Sequence, residues 1–232
     1  MDSRVNVVSN FFNTQPYLDN TFNIALRESI INELKPKLIL GKSVLDIGCG
    51  DGSLSLPFLK SNKVVAIDSA KAMLLKAKLK FSQVESNYEP EIIEGDFLSY
   101  SFSKKFDLIL CIGVVAHIEN IELLFSKIYD LLEDDGHAII QISDADHYRY
   151  KNSKSSLQNY GYELNKTGKQ EFIKKLINSG FKLKKQSGYS WSFFPISRFS
   201  QKGQFFILNK IRKVPVFNFL TSEWLFLVSK VA

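Results

Sequence analysis

The sequence predicts an α/β fold: a doubly wound, mostly parallel sheet of seven strands with an antiparallel last strand, helices on both faces, and lid insertions. Three observations predict it. Short apolar runs alternate with stretches whose apolar residues recur every three or four positions. A glycine-rich turn joins the first apolar run to a helical stretch. Toward the C-terminal end the alternation gives way to helix, strand and return strand, the order expected where a parallel sheet closes on an antiparallel partner.

The elements follow in chain order. Ala25–Leu34 reads as a helix leading into a first strand, Ser43–Ile47. Ser53–Leu59 is helical in pattern, with Pro57 expected to kink or shorten it. Val64–Ile67 is the second strand, and Ala70–Phe81 is a helix carrying Met73, Leu74, Ala77 and Phe81 on one face. Glu91–Glu94 and Phe106–Ile112 are the third and fourth strands, Ile121–Leu132 a helix, and Ala138–Ile142 the fifth strand. Lys169–Ser179 is a helix stopped at Gly180, which feeds a sixth strand through Leu183; Trp224–Val231 returns as the last strand. Residues 144–165 and 189–222 break the pattern, and segments of that length in a domain form lids or binding surfaces. With no repeat, low-complexity tract or flexible linker, the 232 residues read as one domain.

Composition narrows the function. A hydrophobic content of 45% over 232 residues supports one sizeable core. No run approaches about 18 apolar residues, and the start Met1-Asp2-Ser3-Arg4-Val5-Asn6 is polar where a signal peptide would be apolar, so membrane-spanning and secreted classes are set aside. Cys49 and Cys111 lie in apolar stretches without paired spacing, which argues against a disulfide framework or zinc cluster and for a cytoplasmic protein. Charge is segregated: residues 1–171 carry 19 basic and 23 acidic side chains, whereas residues 172–232 carry 11 basic and one acidic. Eleven aromatics between Tyr189 and Phe226 accompany that basic region, which suits an anionic, partly apolar partner or a solvated basic face around an aromatic core.

The most informative stretch is Val44-Leu45-Asp46-Ile47-Gly48-Cys49-Gly50-Asp51-Gly52-Ser53-Leu54. Its G-x-G-x-G spacing preceded by Asp46 is neither the G-x-G-x-x-G of dehydrogenases nor a Walker loop, which would need a following Gly-Lys-Ser/Thr. Asp68 ends the second strand in Val64-Val-Ala-Ile-Asp68-Ser69, and Asp96 follows the third in Glu94-Gly95-Asp96-Phe97. In a doubly wound sheet the position of Asp68 borders the crevice beside the first turn, and a carboxylate there has enough lone pairs to hold a vicinal diol.

These motifs, in this order over residues 40–145, resemble the class I S-adenosylmethionine-dependent methyltransferases of small-molecule type. The resemblance implies S-adenosyl-L-methionine as cofactor and S-adenosyl-L-homocysteine as product. It implies that Asp46, Gly48, Cys49, Gly50 and Gly52 wrap the methionine part and that Asp68, with Ser69 beside it, holds the ribose. It further implies that Asp96 meets the adenine amino group while Phe97 and Met73 flank the ring, and that Cys111, Ile112 and Gly113 line the cofactor from the fourth strand. Residues 1–40 are then a helical cover, 41–143 the cofactor-binding half, and 144–165 and 189–222 substrate-side insertions.

Methyl transfer is governed by positioning of donor and acceptor, with a general base useful for a hydroxyl acceptor. His137 begins the fifth strand, at the wrong edge of the sheet; His117 and His147 follow the fourth and fifth strands and are the candidate catalytic residues. Metal-dependent relatives need carboxylates after both of those strands. Here Cys111-Ile112-Gly113 stands at the first place, so no metal is expected. The Asn/Asp-Pro-Pro-Tyr motif of amino-group methylases is absent, and Cys111 in its apolar strand is no cytosine-attacking thiolate. The acceptor is therefore expected to be a small molecule, with oxygen preferred over nitrogen. Phe11, Phe12, Tyr17 and Phe22 are candidates to close over the cofactor, Tyr17 also touching substrate, and Tyr148, Arg149, Trp191, Phe193, Phe194 and Arg198 to complete the substrate pocket. The basic aromatic region leaves two alternatives: peripheral membrane contact, or an RNA-modifying enzyme gripping phosphates, the latter disfavoured because no RNA-binding module is present. A non-catalytic cofactor-binding member of the fold is a third, and the oligomeric state stays open.

Overall fold

Strand residues of both parities are apolar in this chain because both faces of its sheet are covered. Leu45, Ile47, Val65, Ile67, Ile109, Cys111, Ala138 and Ile140 pack into one layer, and the intervening Val44, Val64, Ala66, Leu108, Leu110 and Ile139 into the other. A computed structural model describes residues 3–14, 21–37, 40–151, 161–191, 200–214 and 219–231.

The elements are α1 (Ser3–Thr14), α2 (Thr21–Leu34), β1 (Ser43–Ile47), α3 (Leu56–Leu59), β2 (Lys63–Asp68), α4 (Lys71–Phe81), β3 (Glu91–Glu94), β4 (Phe106–Cys111), a 3₁₀ turn (Val115–His117), α5 (Ile121–Leu131) and β5 (Leu132–Ser143). The chain continues through α6 (Tyr148–Lys151), α7 (Lys169–Asn178), β6 (Phe181–Trp191), α8 (Gln201–Ile211) and β7 (Thr221–Lys230). The sheet order is β3-β2-β1-β4-β5-β7-β6, with β7 antiparallel to both neighbours and the other described pairings parallel. The predicted α/β architecture and its antiparallel last strand are as the sequence indicates.

Helices cover the two layers by their apolar stripes. Leu124, Phe125 and Ile128 of α5 and Phe172 and Leu176 of α7 pack on one face; Leu26, Ile30, Ile31 and Leu34 of α2, Leu74, Ala77 and Phe81 of α4, and Leu208 of α8 pack on the other. Asn120 caps α5, its side chain accepting the Leu123 N–H at 2.9 Å. Pro57 shortens rather than kinks its helix: residues 53–55 form turns, and Pro57 falls in the first turn, where its missing N–H costs nothing.

Several boundaries differ from the sequence reading. Strand β5 begins at Leu132 because residues Glu133–Gly136 bulge between two paired stretches, Leu132 with Phe106 and His137 with Leu108. The helix α8 lies inside the insertion 189–222, and α6 inside the insertion 144–165. Tyr17, Phe193, Phe194 and Arg198 lie outside the described residues, as do the side chains of Phe22, Arg149 and Trp191. Among the described residues no helix is long and apolar enough to cross a membrane.

Candidate active site

The turn after β1 is shaped by two glycines that no other residue replaces. Gly48 has φ +61°, and a Cβ there would run into the Val114 side chain; Gly52 has φ +76°, and a Cβ there would meet Phe81 Cε1 at 2.5 Å. Between them Gly50 faces open space. The turn is hooked to β2 twice: the Cys49 N–H donates to the Ile67 carbonyl at 3.1 Å, and the Gly50 N–H donates to Asp68 Oδ2 at 2.8 Å. Asp68 Oδ1 accepts the Ala70 N–H at 2.8 Å, so one carboxylate ties the glycine turn to the start of α4. Burial pushes the Asp68 carboxyl upward, against backbone N–H groups of Ala70, Gly50 and Ser69 that favour its charge. An ionised carboxylate has about four acceptor positions, so about two remain after the Gly50 and Ala70 hydrogen bonds.

Asp46 lies beneath the turn rather than in it. Its side chain points away from the layer of Leu45 and Ile47, is 2% exposed, and accepts the Ser55 hydroxyl. Burial raises its pKa to about 7, opposed by the Ser55 hydrogen bond and reinforced by the charges of Asp68 and Asp51. Asp51 is held by Lys80 of α4 at 2.5 Å, and the same ammonium reaches Ser53 Oγ at 2.7 Å, bracing the turn from outside.

A cavity of about 830 Å³ opens over this turn at the carboxyl ends of the strands, a volume within the range of small-molecule sites. It brings together Gly48, Gly50, Asp68, Ser69, Met73, Asp96, Phe97, Ile112, Gly113 and His117 from the sequence-derived set. Asp96 is oriented by the Ser99 N–H at 3.0 Å. Phe97 is 5% exposed, with Lys127 over its ring at 5.2 Å. Cys49, Gly52 and Cys111, expected along the cofactor, do not line the cavity, and neither does Asp46. Strand parity turns Cys111 into the apolar layer with α5, where burial pushes its thiol up and leaves it inert; Gly52 serves the packing of α4 against the turn.

Helix α1 forms one wall through Arg4, Val5, Val8 and Phe12. It is latched at three points: Arg4 Nε donates to the His117 carbonyl at 3.1 Å, Ser9 Oγ to the Ser69 carbonyl at 2.7 Å, and Asn13 Oδ1 accepts the Ala72 N–H at 2.9 Å. The helical cover expected over residues 1–40 is therefore present here, and Phe12, one of its candidate aromatics, lines the cavity. Arg27 of α2 also lines the cavity, its Nε donating to the buried Tyr189 hydroxyl at 2.8 Å.

His117 Nδ1 is 2.6 Å from the Tyr162 hydroxyl, and the Phe12 ring stands edge-on to the imidazole with centroids 5.4 Å apart. Burial lowers its pKa to about 4, with the Arg4 charge adding to the effect, so the imidazole is neutral at neutral pH. His147 does not join it. That histidine lines a separate depression of about 390 Å³ with Tyr148, Asp144, Lys169 and Trp224. The segment carrying Asn165 and Thr167 runs between the two, the Asn165 N–H donating to the Ala116 carbonyl at 2.7 Å and the Thr167 carbonyl accepting the Ala145 N–H at 3.2 Å.

The residues present fit an S-adenosyl cofactor. The cradle at Gly50 is open where a side chain would intrude, Asp68 has acceptor capacity for a diol, and Asp96 and Met73 line the same cavity. A family profile described as a methyltransferase domain matches residues 21–178. The ubiquinone biosynthesis O-methyltransferase of Glaesserella parasuis serovar 5 is 36% identical over 119 residues, 48% of this chain and 49% of that protein. A probable (S)-tetrahydroprotoberberine N-methyltransferase 2 of Papaver bracteatum is 33% identical over 98 residues, 41% of this chain and 27% of that protein. The chain thus spans about half or less of the length of these curated relatives. Among solved structures, the magnesium protoporphyrin IX methyltransferase of Synechocystis PCC 6803 with bound S-adenosylmethionine superposes with a TM-score of 0.67 at 17% identity, covering 99% of both chains. The N-methyltransferase NodS of Bradyrhizobium japonicum WM9 with S-adenosylhomocysteine superposes at 0.66 and 15% identity, covering 100% of both. The fold of these neighbours is the one described above, and with the family profile spanning well over half of the sequence the chain belongs to the S-adenosylmethionine-dependent methyltransferases.

Proposed function

We propose that this protein transfers a methyl group to a hydroxyl of a small molecule in a biosynthetic pathway, without a metal, in the cytoplasm. The observation that carries the reading is the single cavity that joins the Gly48–Gly50 turn, Asp68, Asp96 and His117. Gly48 and Gly50 would admit the methionine part of the cofactor, Asp68 would hold the ribose, and Asp96, with Met73 and Phe97, the adenine. When bound, the cofactor supplies an electrophilic methyl group on a sulfonium. The chain supplies position and a proton acceptor: α1 would help orient the acceptor from one wall of the cavity, and a neutral His117 is in the state needed to take a hydroxyl proton. A metal has no carboxylate to bind at the end of β4, where Cys111 is wholly buried and Ile112 and Gly113 follow. His147 and Tyr148, in their separate depression, are assigned to the outer substrate side.

A second feature favours contact with an anionic membrane over RNA as the role of the basic region. Lys202, Phe206 and Lys210 fall four residues apart on the outer face of α8, Phe206 is 58% exposed, and Phe219 is 73% exposed. Basic residues flanking an exposed aromatic suit a lipid headgroup boundary.

Calorimetric titration with S-adenosylmethionine, S-adenosylhomocysteine and NAD tests the cofactor assignment, with binding of the two adenosyl ligands and not NAD expected. Labelled-methyl transfer to panels of phenols, carboxylic acids and amines then tests the acceptor. Transfer confined to amines would overturn the hydroxyl assignment.

A further inference from the structure

The segment 161–168 is bonded to the turn that carries His117 on every side. Asn165 N–H donates to the Ala116 carbonyl at 2.7 Å, and its side-chain amide donates to the Ile118 carbonyl at 3.0 Å, so Asn165 grips the residues before and after His117. Thr167 Oγ1 in turn donates to Asn165 Oδ1 at 2.9 Å, fixing the amide. From the opposite side Arg4 spans both pieces: Nε donates to the His117 carbonyl and an NH2 hydrogen to the Glu163 carbonyl at 2.6 Å, with its guanidinium 5.3 Å from the Tyr162 ring centroid. The outcome of these bonds is a fixed Tyr162, 7% exposed and outside the cavity lining, whose hydroxyl meets His117 Nδ1.

We propose that Tyr162 is a positioning residue that holds His117 as the Nδ1–H tautomer, its hydroxyl oxygen accepting that N–H, so that Nε2 is the lone-pair nitrogen offered to an acceptor hydroxyl. The inference rests on the reading of His117 as the proton acceptor. It gives a physical purpose to a 2.6 Å bond between a cavity-lining imidazole and a tyrosine buried behind it. A tyrosine hydroxyl can donate to a ring nitrogen or accept from it; in the proposed arrangement it accepts from Nδ1–H, which leaves the lone pair on Nε2. The opposite tautomer would place a hydrogen on Nε2 and leave no base, so one hydroxyl decides whether His117 accepts or donates. The acceptor class that follows is a hydroxyl whose proton must leave, and the proton goes to Nε2.

The test is nitrogen NMR of 15N-histidine-labelled protein at pH 7 with S-adenosylhomocysteine, the His117 signals being identified by their loss in His117→Gln. The expected result is an Nδ1–H tautomer in the wild type that shifts toward Nε2–H in Tyr162→Phe while calorimetric affinity for S-adenosylhomocysteine is unchanged. An Nε2–H tautomer in the wild type overturns the proposal, as does Tyr162→Phe retaining the wild-type tautomer. Should Tyr162→Phe fail to fold, Asn165→Ala loosens the segment with Tyr162 intact and is expected to mix the tautomers; an unmixed Nδ1–H form there overturns the proposal. Absence of S-adenosylhomocysteine binding in the wild type would instead overturn the methyltransferase reading, which the tautomer measurement does not touch.

Discussion

The Asp68 carboxylate accepts the Gly50 N–H at 2.8 Å, so the end of β2 and the turn after β1 are one hydrogen-bonded unit. Asp68→Ala removes the acceptor for a bound diol and also releases the turn. We expect S-adenosylmethionine affinity to fall by about 1–3 kcal/mol with the fold retained, read by calorimetry and circular dichroism. An unchanged dissociation constant would remove Asp68 from the site.

The glycines of the turn separate stability from binding. Gly52→Ala sets a Cβ against Phe81 and Ala77 in a left-handed backbone and is expected to cost about 1–3 kcal/mol in urea unfolding. Gly50→Ala meets nothing within 4 Å, so its stability cost is limited to the backbone, about 1–2 kcal/mol, while its methyl group enters the cavity and weakens cofactor binding. Equal ratios of stability loss to affinity loss in the two variants would contradict this division.

His117 carries a pH signature. Its folded pKa, about 4, lies below the ordinary 6.5, so between those values the unfolded chain holds the extra proton. The corresponding stability is complete above pH 6.5 and is lost as pH falls toward 4. Wild-type protein should lose more unfolding free energy between pH 7 and pH 4.5 than His117→Gln, and Arg4→Ala should raise the NMR-monitored midpoint of His117 by removing a nearby cation.

Asp46 acts with the opposite sign. Its folded pKa of about 7 exceeds the unfolded value of 3.8, so the native protein binds the extra proton between them and this group's contribution declines as pH rises from 4 to 7. Asp46→Asn, which keeps an oxygen for the Ser55 hydroxyl, should flatten that decline; parallel urea titrations at pH 5 and pH 8 decide it.

The strands were legible because β1, β2 and β4 are apolar at consecutive positions; Asp68 follows from where a doubly wound sheet leaves its crevice, whereas Asp96, after β3, was reached through the family resemblance. The same pattern could not reveal which side of a strand each residue takes at a turn, and so Cys111 and Gly52 were placed along the cofactor although they face the core and α4. The helical cover over residues 1–40 came from the family resemblance, while the bounds of α1 were not legible in periodicity because Val5, Val8 and Phe12 line a cavity. The acidic Glu133-Asp134-Asp135 disguised the start of β5, being the polar content of a bulge. Tyr162 was missed because its partner is 45 residues away and nothing local marks the pair.

The strand β7 lies between β5 and β6, so β6 joins the sheet through β7 alone. An edge strand with Lys182, Lys184 and Lys185 exposed therefore has no backbone partner until residues 221–230 have crossed over it. Folding of this half is ordered by topology: the parallel strands can assemble from contacts already at hand, whereas the last two enter together as a late-closing, long-range step. Until that step occurs the free edge of β5 is open to any other strand that reaches it, and β7 is the device that seals it.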